Sequence, residues 1–483
     1  MLMIPSAIKP KEDDDRNRWR EQSLRLRLLS GEFEDDVRDD IRKLFAAEIA
    51  ADLELAPDLS RNTFLLVNQQ LATSYSEAPL VSVEGEEEAD LSSIVTSRLW
   101  PIQRENELKI RALNESILRL DWSNEDQEVR YRIVEPDSVV LIPNKKKPDQ
   151  MIGVEWLRHR ANSAGKGFWT WEVWDISDPA NPIFRIDVVD NRGKRVEATK
   201  DFAPELAGKY PYYDREQNPI LPFVLYHSKV SSKLWSWRAG TELVLGTLRL
   251  CSLWSNWQDG FVNAAHPQRY ALDAESQAGV TRNIGGVSVD VVPTDRKSIL
   301  KFSSSGAGGA QLSQFNPTME PRSAAEALEV FERGLAIYAG LNPSDLQVTS
   351  GQSGYAIVVS RDGQRRKAKE IQSSLSLSDK DLLVLAARLS NAYGGTDLPE
   401  LSNLYSIQYR GDQESSEERR SKVETVEKEI ALGLISRIDA VRRLNPTIRS
   451  DDEAVERLLA IQRAEEILST NETTTIQEAT IDG

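Results

Sequence analysis

Three histidines, His159, His227 and His266, are the only imidazoles in the chain, and no two are spaced to chelate a metal from one helix as in H-E-x-x-H. His159 falls in a strand-like run and His266 precedes Pro267, so each reads as a packed or loop histidine rather than a ligand or general base. No G-x-S-x-G elbow is present, which leaves a serine–histidine nucleophile without local support. The nearest approach to a phosphate-cradling G-x-x-x-x-G-K-[ST] loop is Gly165-Lys166-Gly167. It lacks the leading glycine and the hydroxyl after lysine, and reads as a hairpin turn. Carboxylates are abundant, but no spacing pairs two of them as a nuclease or glycosidase requires. The expectation is a chain without catalytic residues, metal or cofactor.

One local charge feature stands out. Between Arg361 and Glu370, five basic residues (Arg361, Arg365, Arg366, Lys367 and Lys369) face two acidic ones, Asp362 and Glu370. Two readings stay open: a solvated helix face pairing with neighbouring acids, or sparse positive charge beside a loop that touches nucleic-acid phosphates. The chain as a whole is acidic, with 60 Lys and Arg against 76 Asp and Glu and a net charge of −16. Tight, sequence-independent DNA binding by the whole surface is therefore not expected, because that affinity comes from neutralising phosphates.

At 483 residues the chain can hold two to four domains, and 40% hydrophobic with 28% charged residues is an ordinary globular composition. The single cysteine, Cys251, excludes an intramolecular disulfide framework and a multi-cysteine metal site; in an apolar helical run it reads as a buried structural thiol. The first residues reach the charged run from Lys9 to Arg20 too soon to supply the apolar core of a signal peptide, and no apolar stretch approaches the ~20 residues that cross a bilayer. A soluble chain in a reducing cytoplasm is expected, with no membrane partner.

The elements that would position any site follow from periodicity. From Asp13 to Leu55, Ile41, Leu44, Phe45 and Ile49 recur at helical spacing, and Arg61-Asn62-Thr63 starts a further helix through Phe64, Val67 and Leu71 towards Tyr75. The acidic run from Glu84 to Asp90 reads as a solvated loop, and Leu91 to Leu120 as helix. After Trp122 the period falls to two. Tyr131 to Ile142, Met151 to His159, Phe168 to Asp175, Pro182 to Asp190 and Arg195 to Thr199 read as the strands of an antiparallel meander. Trp169, Trp171 and Val173 share one of its faces; such rings can stack bases, but packing a sheet against helices is the favoured reading.

A long helix is expected from Ser236 to Ala265, with Leu250, Trp254, Trp257 and Phe261 on one stripe and Val244, Leu248 and Cys251 on another. So wide an apolar surface calls for contacts on more than one side, as in a helix packed between subunits. A Gly/Ser/Pro-rich, strand-prone interval runs from His266 to Arg322 and includes a turn and strand over Arg282 to Val292. A second helix returns over Ser323 to Leu341, followed by the small polar loop Thr349-Ser350-Gly351-Gln352-Ser353-Gly354. Tyr355 to Tyr393 reads as a long helix weakened at Gly363, and Tyr405 to Arg410 as a short strand. Helices resume from Ser415 to Leu468, with a start at Ser436 and Asp439 and a stop at Asn445-Pro446; the Thr/Glu-rich tail over 469–483 lacks periodicity and reads as disordered.

This order, helix out, compact module, helix back, polar loop, resembles the portal proteins of tailed bacteriophages and related viruses. The likeness is carried by Trp257-Gln258-Asp259-Gly260-Phe261-Val262-Asn263, by Gly340-Leu341-Asn342-Pro343-Ser344-Asp345-Leu346, by Thr349 to Ile357, and by the two-helix region broken at Leu444-Asn445-Pro446. It covers roughly the last half of the chain by pattern. The resemblance implies an α+β protomer: a wing over 1–235, stem helices over 236–265 and 323–341 flanking a small α/β clip over 266–322, a tunnel loop over 342–360, a long helix and returning wing strand over 361–414, and a helical crown over 415–468. It further implies a homo-oligomeric ring of twelve subunits at one capsid vertex of the virion, assembled in the host cytoplasm. Double-stranded DNA would pass through the ring during genome packaging and ejection. Its other implied partners are the terminase large subunit, a head–tail adaptor, the major capsid protein and scaffold. In that arrangement Gln347, Thr349, Ser350, Gln352, Ser353 and Tyr355 would line the channel, and Arg361, Arg365, Arg366 and Lys367 are the candidate phosphate contacts. The alternative reading is a non-viral oligomeric scaffold or adaptor protein without catalytic activity that shares the helix–module–helix order.

Overall fold

The computed structural model describes residues 13–85, 89–161, 166–189, 194–231, 233–235, 238, 240–265, 268–272, 280–284, 287–291, 299–302, 311–315, 321–341, 354–410, 416–445, 448 and 451–463, with 263–315 and 354–363 described by their backbone. The fold is α+β, and the chain divides into two compact units: Met1–Val348 with Gly363–Asp412, and Thr349–Asp362 with Gln413–Gly483.

The first unit opens with helices α1 (Asp13–Ser30), α2 (Glu34–Leu44), α3 (Ala47–Leu53) and α4 (Thr63–Leu71). In α2, three acids at the first turn and Arg42 and Lys43 at the last suit the helix dipole, and Val37 and Ile41, four apart, form its buried stripe. Helix α4 starts where expected because the Asn62 side chain accepts from the Leu65 N–H at 3.0 Å, satisfying one of the orphan amides of the first turn. It stops at Leu71, short of Tyr75.

Strand β1 (Leu80–Val83) and helix α5 (Leu99–Leu113) lead into β2 (Glu115–Ser123), β3 (Glu128–Val134), β4 (Val139–Pro143), β5 (Met151–Ala161), β6 (Gly167–Asp175), β7 (Ile183–Val189), β8 (Arg195–Glu197), the short helix α6 (Thr199–Phe202) and β9 (Phe223–His227). Strands β4 to β8 form the expected antiparallel meander in sequence order, and a second sheet has the order β3-β2-β9. Three expectations fail here. The helix expected from Leu91 begins only at Leu99, after turns over 91–98. Residues 115–120 are strand, not helix, because Asn114 takes a left-handed conformation (φ 67°) that ends α5 and lets the alternation of Ile117, Arg119 and Asp121 begin. The single run from Tyr131 to Ile142 is cut by a 3-10 turn at Pro136–Ser138, since proline has no N–H for the ladder.

The two sheets bury Ile117, Val134 and Phe223 of one against Val154, Trp156, Trp174 and Phe184 of the other. On the outer face of the meander, Trp171 and Val173 are buried under Trp19 of α1, whose ring stacks on Trp171 with centroids 5.9 Å apart. The tryptophan face is therefore core. Helix α1 is held there by buried polar groups one turn apart. Arg18 donates to the Pro136 and Val139 carbonyls, Gln22 to the Glu115 carboxylate at 2.9 Å, and Arg25 to the Ala112 carbonyl at 2.8 Å.

Next come α7 (Thr241–Ala265), β10 (Gln268–Leu272), β11 (Val280–Ile284), β12 (Val287–Val291), β13 (Ile299–Phe302), β14 (Gln311–Phe315), α8 (Pro321–Tyr338) and α9 (Gly354–Leu389), whose part from Gly363 belongs to this unit; β15 (Tyr405–Gln408) pairs antiparallel with β1. Strands β11 and β12 form a hairpin in which Ile284 pairs with Val287, so two residues connect them. Strand β10 lies between β13, to which it is parallel, and β14, to which it is antiparallel. In the second unit, α10 (Ser416–Ala431) is followed by α11 (Arg437–Leu444) and a helix over 451–463. The expected capping box is present: Ser436 Oγ accepts from the Asp439 N–H at 3.1 Å, and the Asp439 carboxylate accepts from the Ser436 N–H at 3.0 Å. The break at Asn445 is also present, as the C-cap of α11.

Helix α9 is pinned to the sheets at Asp379. Its Oδ2 accepts from the hydroxyls of Tyr75 and Tyr409, both at 2.7 Å, and its Oδ1 from Tyr226 Oη and Gln103 Nε2, both at 2.8 Å. These donors come from the loop after α4, the residue that follows β15, β9 and α5, so one carboxylate ties five parts of the unit together. Burial pushes the Asp379 carboxyl up to about 6, despite the three tyrosine hydroxyls that favour its charge. A raised carboxyl pKa means that the folded state holds its proton to higher pH than the unfolded chain does, so this group makes the protein lose stability as pH rises from about 4 to about 6. Denaturant melts of Asp379→Asn should show a gap relative to wild type that moves in favour of the asparagine variant across that window and is flat above it. Asp379→Ala removes the acceptor that three tyrosine hydroxyls and Gln103 share and should cost about 3 kcal/mol or more at pH 7.

Candidate functional site

The region singled out by the sequence begins with the antiparallel rods α7 and α8. Val244, Leu248, Leu250, Cys251 and Trp254 of α7 are buried among residues of α1, α2, α4 and α8, including Val37, Ile41, Phe64, Val67 and Leu335. The contacts on several sides expected for this helix are thus made within the chain. Cys251 belongs to that core, its Sγ 3.6 Å from the Arg61 carbonyl, and burial pushes the thiol up to about 12, which keeps it protonated and unreactive. Gly246 lets α8 come close: a β-carbon there would lie 2.4 Å from Leu335 Cδ2.

Helix α8 is different, because it is apolar on two faces. Leu328, Leu335 and Ala336 face the α7 core, with Ala325 and Ala339 beside them. Val330, Phe331, Ile337 and Tyr338, at i, i+1, i+7 and i+8, lie on another face and are exposed, Val330 at 64% and Ile337 at 60%. Leu245 and Phe261 are the exposed large apolar residues of α7.

Helix α8 ends in a Schellman motif. The Leu341 N–H bonds to the Ala336 carbonyl at 3.0 Å and the Gly340 N–H to the Ile337 carbonyl at 2.9 Å. Gly340 has φ 87°, and the Lys367 side chain runs across it so closely that a β-carbon would sit 2.8 Å from Lys367 Cε. The polar loop that follows, with Gln347, Thr349, Ser350, Gln352 and Ser353, lies outside the described residues; Tyr355 and Arg361 are described by their backbone, as part of α9.

Of the basic run, Lys367 Nζ is 3.0 Å from Glu370 and Lys229 is 3.7 Å from the same carboxylate. The hydrogen bond from Lys367, assisted by Lys229, holds the Glu370 carboxyl below its ordinary range. Arg365 and Arg366 also have interaction partners. For Lys367, pairing with a neighbouring acid is the reading that the geometry supports. Lys229, Lys367, Glu370 and Arg111 line a cleft of about 140 Å³, in which Arg111 pairs with the buried Glu107 at 2.9 Å. Each of its cations thus lies against a carboxylate, the two lysines sharing Glu370.

Among the described residues, no group of three His, Cys, Asp or Glu side chains is placed to hold a metal ion. His159 sits in β5 with its ring edge-on to Trp169 at 5.4 Å, and burial lowers His227 to about 4. His266 lies outside the described residues. No described helix is long and apolar enough to cross a membrane.

No family model and no curated protein matches the chain. Among solved structures, a chain in the virion of a native gene transfer agent particle is 11% identical, with 79% of this chain and 88% of that chain covered, at a TM-score of 0.36. A chain in the neck of the native particle, computed with C12 symmetry, is 12% identical over 79% of this chain and 89% of that chain, at 0.39. One in the neck of the empty particle, computed with C6 symmetry, is 12% identical over 84% and 93%, at 0.37. At scores of this size both fold and function must be argued from the chain's own residues.

The close approach of α7 and α8 can be tested by a double-mutant cycle. Gly246→Ala adds a β-carbon against Leu335 and should destabilise by about 1–3 kcal/mol despite the better helix propensity of alanine. In a Leu335→Ala background the same change should be neutral or stabilising, giving a coupling of about 1 kcal/mol or more in denaturant unfolding.

Proposed function

We propose that this chain is a portal protein: a subunit of a closed ring whose central channel passes double-stranded DNA at one capsid vertex. The observation that carries the proposal is the second apolar face of α8, with Val330, Phe331, Ile337 and Tyr338 exposed on a helix whose other face is already packed on α7. A helix with two apolar faces needs two partners, and the second is not in the same chain among the described residues. A ring supplies it, because each subunit presents one surface to the neighbour on its left and another to the neighbour on its right until the rotation closes.

In this reading α7 and α8 are the stem, residues 266–322 the clip that meets the packaging motor and then the head–tail adaptor, and residues 1–235 the wing. Residues 415–468 form the crown inside the capsid. The loop over 342–360 faces DNA with Gln347, Thr349, Ser350, Gln352, Ser353 and Tyr355, while Arg361, Arg365 and Arg366 lie just behind it. The net charge of −16 fits a channel through which DNA must slide without being held. Small polar side chains offer contacts that exchange as the duplex moves. The role is structural, with energy supplied by the motor rather than by this chain.

Light scattering on purified protein tests the reading. Wild type should elute as a closed oligomer with the mass of a ring, and Val330→Glu with Ile337→Glu should give a folded single chain with unchanged circular dichroism. A monomer or dimer of wild type under all assembly conditions refutes the ring and leaves a scaffold or adaptor. Replacing Gln352 and Ser353 with tryptophan should leave rings intact but impair genome packaging or retention; normal packaging by such rings refutes the placement of the loop.

A further inference from the structure

The space between the two sheets of the first unit is apolar at one end and strongly basic at the other. On β2, Arg119 follows Ile117 on the face turned to the meander, and its register partner on β3 is Arg132, two residues from the buried Val134. On the opposing sheet, Arg158 and Arg160 continue the face that Val154 and Trp156 begin, and Glu172 lies next to Trp174 on β6. All four arginines therefore converge as the apolar core gives way to solvent.

Glu172 is the buried centre of this group. Its Oε1 accepts from Arg119 and from Trp174 Nε1, the latter at 2.8 Å, and its Oε2 from Arg160 and from Arg158, the latter at 3.3 Å. Arg119 also pairs with Asp121 at 2.8 Å. Arg132 is exposed and forms no ion pair among the described residues. Four guanidiniums thus share two carboxylates, and two positive charges remain uncompensated in a chain that is acidic overall. Arg160 Nε is a buried donor with no acceptor. Arg158 is braced over the Trp156 ring, 4.2 Å from its centroid, which fixes its plane without using its donors. Desolvation first, and then repulsion from the neighbouring arginines, push Arg158 down to about 10 and Arg160 down to about 9.

We propose that Arg132, Arg158 and Arg160 form an oxyanion site that takes a phosphate-class dianion, with Glu172 and Trp156 holding the guanidiniums in place. Planar guanidiniums match phosphate oxygens two at a time, and the two uncompensated charges match a dianion better than a single carboxylate. The phosphate is either free or part of a nucleic-acid backbone. The site is complete within one chain, so it stands whatever the chain assembles into.

The test is calorimetric titration of the full-length protein with inorganic phosphate at constant ionic strength, with thermal melting in parallel. A site-bound anion gives a saturable heat and a saturable rise in Tm, whereas exclusion of phosphate from the surface gives a Tm that climbs without saturating. Arg132→Gln, an exposed change that leaves Glu172 paired, should weaken phosphate binding about tenfold, equivalent to about 1.4 kcal/mol. Arg160→Gln should abolish it, and Lys145→Gln, on the exposed turn between β4 and β5, should leave it unchanged. No saturable heat, or one that survives Arg132→Gln and Arg160→Gln at full affinity, overturns the proposal. A short DNA duplex that competes with phosphate supports the site with a nucleic-acid backbone as the source. A duplex that does not compete, with phosphate binding intact, supports it with free phosphate as the ligand.

Discussion

A helix can hide one apolar face against its own domain; a second apolar face has to be covered by something else. That constraint falls on α8. Its Leu335 side closes over Gly246 of α7 and completes a core shared with α1, α2 and α4. Its Val330–Ile337 side is left bare. Fully burying an exposed valine, isoleucine or phenylalanine is worth about 1.5–3 kcal/mol, so Val330, Phe331 and Ile337 repeated at every junction of a closed assembly provide a substantial driving force.

The rest of the first unit makes α7 and α8 rigid enough to present that face. Buried polar groups do this as much as apolar packing does. Asp379 gathers Tyr75, Tyr226, Tyr409 and Gln103 from four elements onto α9, and Arg18, Gln22 and Arg25 fasten α1 across the junction of α5, β2 and β4. Each of these networks is expensive to leave half satisfied, so each fixes its elements in one arrangement. Glu172 belongs to the same class, with the difference that its arginines exceed its acids and the surplus faces outward.

Local features of the chain were readable in advance where a local cause produces them. Asn62 caps α4, Ser436 and Asp439 box the start of α11, and the period-two runs after Trp122 give the meander because strand alternation needs only neighbouring residues. Strand β2 was hidden because its onset depends on one left-handed asparagine between two apolar runs. The two-faced periodicity of α7 and α8 was visible, yet periodicity cannot say which face its own chain covers: most of the α7 stripe is buried within the chain, whereas Val330 and Ile337 of α8 are exposed. The Asp379 and Glu172 clusters draw on residues from distant parts of the chain, and no spacing rule reaches that far. The polar loop over 342–353 was singled out by composition, as a stretch of small side chains between two helices.

The central claim is that the bare face of α8 is an interface between identical chains around a hollow axis. Electron cryo-microscopy of the purified assembly tests it most directly. The account predicts a ring with an open centre in which Val330 and Ile337 of each subunit lie against a neighbour. A particle without a central hole, or a ring in which those side chains remain in solvent, would contradict it.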